Sequence, residues 1–97
     1  MKYKYKIKYT SQFKKELKAA IKRGYDIIEL LYVVSLIAEG TNAPELYEKY
    51  KDHELKGKWH QFRECHIRPD WLLIYEIIED ILVLSLARTG SHSDLFK

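Results

Sequence analysis

The order of hydrophobic periodicities along this chain predicts an α+β fold. The expected topology is β-α-α-β-β-β, a helical hairpin packed on one face of a small, mostly antiparallel four-stranded sheet. Three observations predict it. Lysine and aromatic residues alternate strictly at the start, two segments of helical period follow with Gly24 between them, and three strand-like runs close the chain. With 97 residues the chain makes one small domain spanning residues 1–97.

The first element comes from period two. Lys2, Lys4, Lys6 and Lys8 fall on one face, and Tyr3, Tyr5, Ile7 and Tyr9 on the other, which predicts a strand with one wet and one packed face. Thr10 or Ser11 then caps a helix whose Phe13, Leu17, Ala20 and Ile21 form one stripe. Gly24 stops it. Asp26 followed by Glu29 starts a second helix that runs without a turn signal to Gly40. The polar stretch from Thr41 to Lys58 reads as a loop or a short irregular helix. Three strands are then expected over Trp59–Arg68, Trp71–Ile78 and Ile81–Arg88. The last two are almost continuously apolar, as strands covered on both faces are.

Composition excludes several classes. A hydrophobic content of 46% and a charged content of 32% are globular values. A single cysteine leaves no disulfide framework and suits a reducing, cytoplasmic compartment. The longest nearly apolar run, Ile27 to Ala38, is too short to span a bilayer, so no membrane role is expected. Cys65 next to His66 has no CxxC or HxxxH companion, so neither a metal nor a cofactor is expected. The net charge of +3 conceals a split. Up to Arg23 there are nine Lys/Arg against one acid, a balance of +8; beyond it eight stand against thirteen, a balance of −5. A basic face carrying Lys4, Lys6 and Lys8 calls for an anionic partner, although such a stripe often only keeps an edge strand from pairing.

Turn lengths place the polar residues. With Pro69-Asp70 as a two-residue turn, Arg68 faces Trp71 and His66 faces Leu73. With Glu79-Asp80 as another, Trp71 faces Arg88 and Leu73 faces Leu86. His66, Arg68, Trp71 and Arg88 then share one face at one end of the sheet, with Asp70 in the turn and His92 leaving from the same end. Leu72, Ile74, Ile78, Ile81, Val83 and Ala87 form the opposite face, expected to carry the helices. The polar corner has what metal-free RNA cleavage needs: imidazoles that exchange protons near neutrality, guanidinium groups for phosphate and an indole for stacking on a base. His60 has no polar neighbour in this register.

Three blocks carry a resemblance. Asp52-His53-Glu54-Leu55-Lys56-Gly57, then Arg63-Glu64-Cys65-His66-Ile67-Arg68-Pro69-Asp70-Trp71-Leu72-Leu73-Ile74-Tyr75, then Arg88-Thr89-Gly90-Ser91-His92-Ser93-Asp94-Leu95-Phe96 resemble the YafQ-type toxins of the RelE/ParE superfamily. The resemblance implies a RelE-like fold and a cytoplasmic endoribonuclease that cuts messenger RNA on the translating ribosome. It also implies a cognate antitoxin, with the free toxin a monomer and the toxin–antitoxin complex a heterotetramer. Carried onto this sequence, it implies functional roles for His53, His66, Asp70, Trp71, His92 and Phe96. Which histidine is acid and which is base stays open. Two other functions are compatible with the same scaffold: poisoning of DNA gyrase, whose agents generally lack the histidines, and non-catalytic binding of RNA or protein.

Overall fold

The computed structural model describes residues 3–96, so the expected facing of Lys2 lies outside the described residues. The chain runs β1 (Lys6–Tyr9), α1 (Ser11–Lys22), α2 (Ile27–Glu39), α3 (Pro44–Glu48), β2 (His53–Glu54), β3 (Arg63–Arg68), β4 (Trp71–Ile78), β5 (Val83–Gly90) and α4 (His92–Leu95). The sheet has five strands in the order β1-β5-β4-β3-β2; β1 runs parallel to β5 and the other pairs are antiparallel. The expected α+β architecture is present with one more strand than predicted. That strand, β2, is two residues long and carries no readable period.

Local chemistry explains most of the boundaries. The Thr10 side chain accepts from the Phe13 amide and Asp26 from the Glu29 amide, so both helices begin on the capping residues the sequence offers. Gly40 ends α2 at φ +73°, where a Cβ would come within 2.8 Å of Lys4. The alternation at the start yields a shorter strand than expected. Tyr5 is buried, while Tyr3 and Tyr9 are each 48% exposed rather than packed. Ile21 of the α1 stripe is likewise exposed, because Phe13, Leu17 and Ala20 already fill the contact with the sheet. Trp59, expected to open a strand, lies in a 3₁₀ turn over Gly57–Trp59, and β3 begins only at Arg63.

β4 is buried from Trp71 to Tyr75 because it is covered on both sides. Cys65, Ile67, Trp71, Leu73, Tyr75, Leu84 and Leu86 meet Phe13 of α1 and Leu30, Val33 and Ile37 of α2. Leu72 and Ile74 meet Leu95, Leu55, Phe62 and Ala87 in a smaller cluster on the other face. The expected facing is therefore reversed. Three irregularities bear on this. Arg68 does face Trp71, but the register shifts at Ile67 so that His66 faces Leu72 instead of Leu73. The turn after β4 is longer than two residues, with a 3₁₀ turn over Glu79–Ile81 and Leu82 left-handed at φ 52°. The longer turn moves the partners by two residues, and an extra residue at Ala87, between the pairs Tyr75–Leu86 and Ile74–Arg88, moves them by one more and changes the face; Arg88 thus pairs with Ile74 and not with Trp71, and Leu73 with Thr89. A one-residue slip exchanges the faces of a strand. Among the described residues, no helix is long and apolar enough to cross a membrane.

Candidate active site

The shift at Ile67 separates two side chains that the sequence grouped together. Arg68 points to the helices and bonds Glu29 of α2 at 2.7 Å, whereas His66 shares the far face with its partner Leu72. On that far face β2 brings His53 opposite Glu64, two residues before His66 on the same strand. The ring centroids of His53 and His66 are 6.0 Å apart, and those of His66 and His92 are 5.7 Å apart. Three imidazoles thus form a row, drawn from β2, β3 and α4.

Each ring is held by a different neighbour. His92 follows the Gly90-Ser91 exit of β5, where Gly90 leaves room that a Cβ would contest with Asp94 at 3.1 Å. Ser91 and Asp94 form a reciprocal capping box, and Arg23 holds Asp94 at 2.9 Å. The Arg23 guanidinium, joined by Ser91, keeps the Asp94 carboxyl well below the usual carboxylate range. Asp70, in the β3–β4 turn, accepts from the His92 amide at 2.9 Å and lies 2.6 Å from His92 Nδ1. Those two bonds, the backbone one foremost, hold the Asp70 carboxyl below its ordinary value. His53 Nδ1 sits 2.8 Å from the carbonyl oxygen of Lys51. A carbonyl only accepts, so Nδ1 of His53 carries the hydrogen and Nε2 is left free. His66 Nε2 lies 3.6 Å from Glu64, whose carboxylate is buried.

His53, His66, Asp70 and His92 are therefore brought together as expected, and Glu64 joins them. The sequence singled out no role for Glu64, although its spacing of two from His66 is the signal that would have placed it on the same face. Glu64, His66 and His92 each offer one ligand atom, all within 4.8 Å of one another. Spacing rules did not show this group because α4 supplies one of its members.

Other expected residues stand elsewhere. Trp71 is 2% exposed, packs on Tyr25 at 4.8 Å and donates Nε1–H to Thr89, so its face is not offered to a base. Arg88 is engaged by Glu16 of α1 at 2.5 Å. Phe96, just beyond α4, is 43% exposed. Lys6 and Lys8 are exposed on β1, and Lys4 just before it, with β5, β4 and β3 between β1 and β2. His60 is exposed and bonds only the Gly57 carbonyl, outside the cluster. Beside His66 stand one expected cation, Arg68, and two lysines that nothing in the sequence singled out. Lys49, Lys51 and Arg68 line a groove of about 440 Å³ together with His66, Ile67, Pro69 and Glu29.

A small α+β protein that gathers three imidazoles and two carboxylates on the sheet face away from its helices belongs to the class equipped for proton-transfer chemistry. A family model, the bacterial toxin of type II toxin–antitoxin systems YafQ, matches residues 5–97. The chain belongs to that family. It is 40% identical over 90 residues to the mRNA interferase toxin YafQ of Escherichia coli K12, covering 93% of this chain and 94% of that one. The fold matches YafQ in the E. coli DinJ–YafQ toxin–antitoxin complex with a TM-score of 0.84 at 38% identity, covering 97% of this chain and 99% of that one. A metal-bound toxin from Helicobacter pylori matches with a TM-score of 0.86 at 43% identity, covering 95% of this chain and 99% of that one.

Proposed function

We propose that this chain is the toxin of a type II toxin–antitoxin pair, an endoribonuclease that cleaves messenger RNA on the translating ribosome in the cytoplasm and is silenced by a cognate antitoxin. The observation that carries the reading is the row His53–His66–His92, with spacings of 5.7 and 6.0 Å, beside two carboxylates. The reaction suited to it needs no metal. A base removes the proton of a ribose 2′-hydroxyl, O2′ bonds to the adjacent phosphorus, the P–O5′ bond breaks, and an acid protonates O5′. The products are a 2′,3′-cyclic phosphate and a 5′-hydroxyl.

The hydrogen bonds suggest the division of labour. His53, with Nδ1 committed to the Lys51 carbonyl, presents a free Nε2 and serves as the base. His92, with Nδ1 on Asp70, serves as the acid, and Asp70 balances the positive charge its ring carries when protonated. His66 stands between them, close to the phosphate path, with Glu64 orienting its ring. Arg68 and the groove lysines contact the RNA backbone, and Phe96 offers an exposed ring to a base.

A second reading has its own support. Glu64, His66 and His92 make a donor set that suits a transition metal, and the H. pylori toxin is metal-bound. A metal held there would supply a Lewis acid and would occupy two of the three imidazoles. Cleavage assays on His53→Ala, His66→Ala and His92→Ala, with RNA 5′ ends mapped after induction, decide the main reading. At least one variant should lose cleavage by about a hundredfold or more; full activity in all three overturns it. In a ribosome-free assay, cleavage that persists in EDTA supports the metal-free route, and cleavage that is lost and then restored by added zinc or copper supports the metal.

A further inference from the structure

The Asp52-His53 pair was read for its histidine alone, yet Asp52 is the more deeply buried of the two. Its side chain is 2% exposed. Oδ1 accepts from Arg63 Nε at 2.7 Å and lies 2.6 Å from the Arg63 terminal nitrogen; Oδ2 accepts from the Tyr75 hydroxyl. Arg63 faces Tyr75 on β4 and Glu54 on β2, and its second terminal nitrogen is 3.7 Å from the Glu54 carboxylate. One guanidinium therefore joins three neighbouring strands. Tyr75 belongs to the helix-side core, whereas Glu64 and His66 lie on the far face with His53.

β2 cannot hold itself. It is two residues long, at the sheet edge, and is preceded by Lys51 in the left-handed region at φ 54°. The Lys51 carbonyl fixes the His53 ring, so Asp52 stands between His53 and the group that orients it. Further bonds run from the His66 amide to the Tyr50 carbonyl and from the Leu55 amide to the Phe62 carbonyl, which leaves Asp52 as the side-chain anchor between them. A buried carboxylate is tolerated only where it is paired, so the segment has one favourable seat.

We propose that Asp52, Arg63 and Tyr75 are positioning residues: a buried tether on the helix side of the sheet that sets the place and orientation of His53 on the opposite face. The catalytic part of this rests on the function proposed above, but the tether itself does not. Tyr75→Phe keeps the ring in the core and removes only the hydroxyl, and Asp52→Asn keeps the shape and removes the charge. Two readouts follow each variant. The His53 imidazole resonances should shift and broaden in Tyr75→Phe, while those of His92 stay within the wild-type envelope. Single-turnover cleavage on programmed ribosomes should slow about tenfold, with the half-saturating toxin concentration unchanged.

The same slowing should vanish in a His53→Ala background and persist in a His92→Ala background. A slowing that multiplies equally in both backgrounds reflects general destabilisation and overturns the positioning role. Unchanged His53 resonances in Tyr75→Phe overturn the tether outright. Shifted resonances together with a fully active His53→Ala leave the tether standing and remove His53 from the catalytic reading. Should Tyr75→Phe fail to melt cooperatively, Asp52→Asn decides by the same cycle.

Discussion

Replacing Trp71 separates a core tryptophan from an RNA-stacking one. The indole is 2% exposed, lies 4.8 Å from the Tyr25 ring and donates to Thr89, which in turn donates to the Leu72 carbonyl. Truncation of so large a buried side chain, Trp71→Ala, should cost about 3–5 kcal/mol. Unfolding a chain of 97 residues carries an entropy of about 0.2 kcal/mol per kelvin at the midpoint, so the melting temperature should fall by about 15–25 °C. Trp71→Phe keeps most of the apolar volume but takes the donor from Thr89, a loss of about 1–2 kcal/mol, or about 5–10 °C. Circular-dichroism melts give the first quantity. Cleavage measured at 15 °C, where Trp71→Phe remains folded, gives the second and should stay within about threefold of wild type, because that loss of stability leaves nearly all molecules native. A Trp71→Phe protein with an unchanged melting temperature and cleavage reduced more than about tenfold through KM would refute the core assignment and restore the indole to the RNA.

Two further predictions concern charge. Burial, with a hydrogen bond to Glu29, pushes the Tyr50 hydroxyl up to about 12. The native state holds that proton more tightly than the unfolded chain, so the associated stability is complete below pH ~10 and is lost as pH rises from there towards 12. Denaturant titrations at pH 9 and 11.5 should show the fall, to which Tyr50 contributes of order 2–3 kcal/mol when complete. Tyr50→Phe should make it shallower without abolishing it, because burial also raises the Tyr75 hydroxyl and the Cys65 thiol, and an equally steep decline in that variant refutes the assignment. The second concerns Lys49 and Lys51, which line the groove beside His66. Lys49→Gln with Lys51→Gln should raise KM and lower the slope of log affinity against log salt by about 1.4, two contacts at the single-strand value. The same exchange at Lys6 and Lys8 on the far edge should change KM less; equal effects would place the RNA along β1 instead.

The parts of the fold that were legible in the sequence are those governed by local chemistry. Thr10, Asp26 and Gly40 act where their types predict, and β4 spans the run that was read for it. The parts that were not legible depend on where the chain changes its period. Extra residues at Ile67 and Ala87 and a turn lengthened to Leu82 leave no compositional mark, since none has the glycine or asparagine that announces such geometry. They moved Trp71 into the core and put Arg88 within reach of Glu16. Of the site, His66, Asp70 and His92 were legible from the hairpin turn and the exit of the last strand, and His53 from the motif blocks alone. Glu64 lies inside a block but had no readable role, since its value depends on facing His53 across a strand too short to be read.

The shift at Ile67 is also what makes the site possible. Without it, strict alternation along β3 would keep His66 on the same side as Arg68, against Glu29 and α2. With it, Cys65 and Ile67 still pack under the helices while His66 turns to the face that carries His53 and His92. Leu95, Leu55 and Phe62 cover Leu72 and Ile74 on that face, while His53 and His92 at its margin stay exposed. The helix face contributes anchorage in return. Asp52, Arg63 and Tyr75 fix β2 from below, and Arg23 with Glu16 ties α1 to the exit of β5 that carries His92. His53 and His92 are thus carried by short segments, β2 and α4, and His66 by β3 beside its register shift, each steadied by groups outside the imidazole row. For the cleavage proposed above, such an arrangement dispenses with a deep pocket, which suits a substrate presented on a large surface and does not require one small enough to be enclosed.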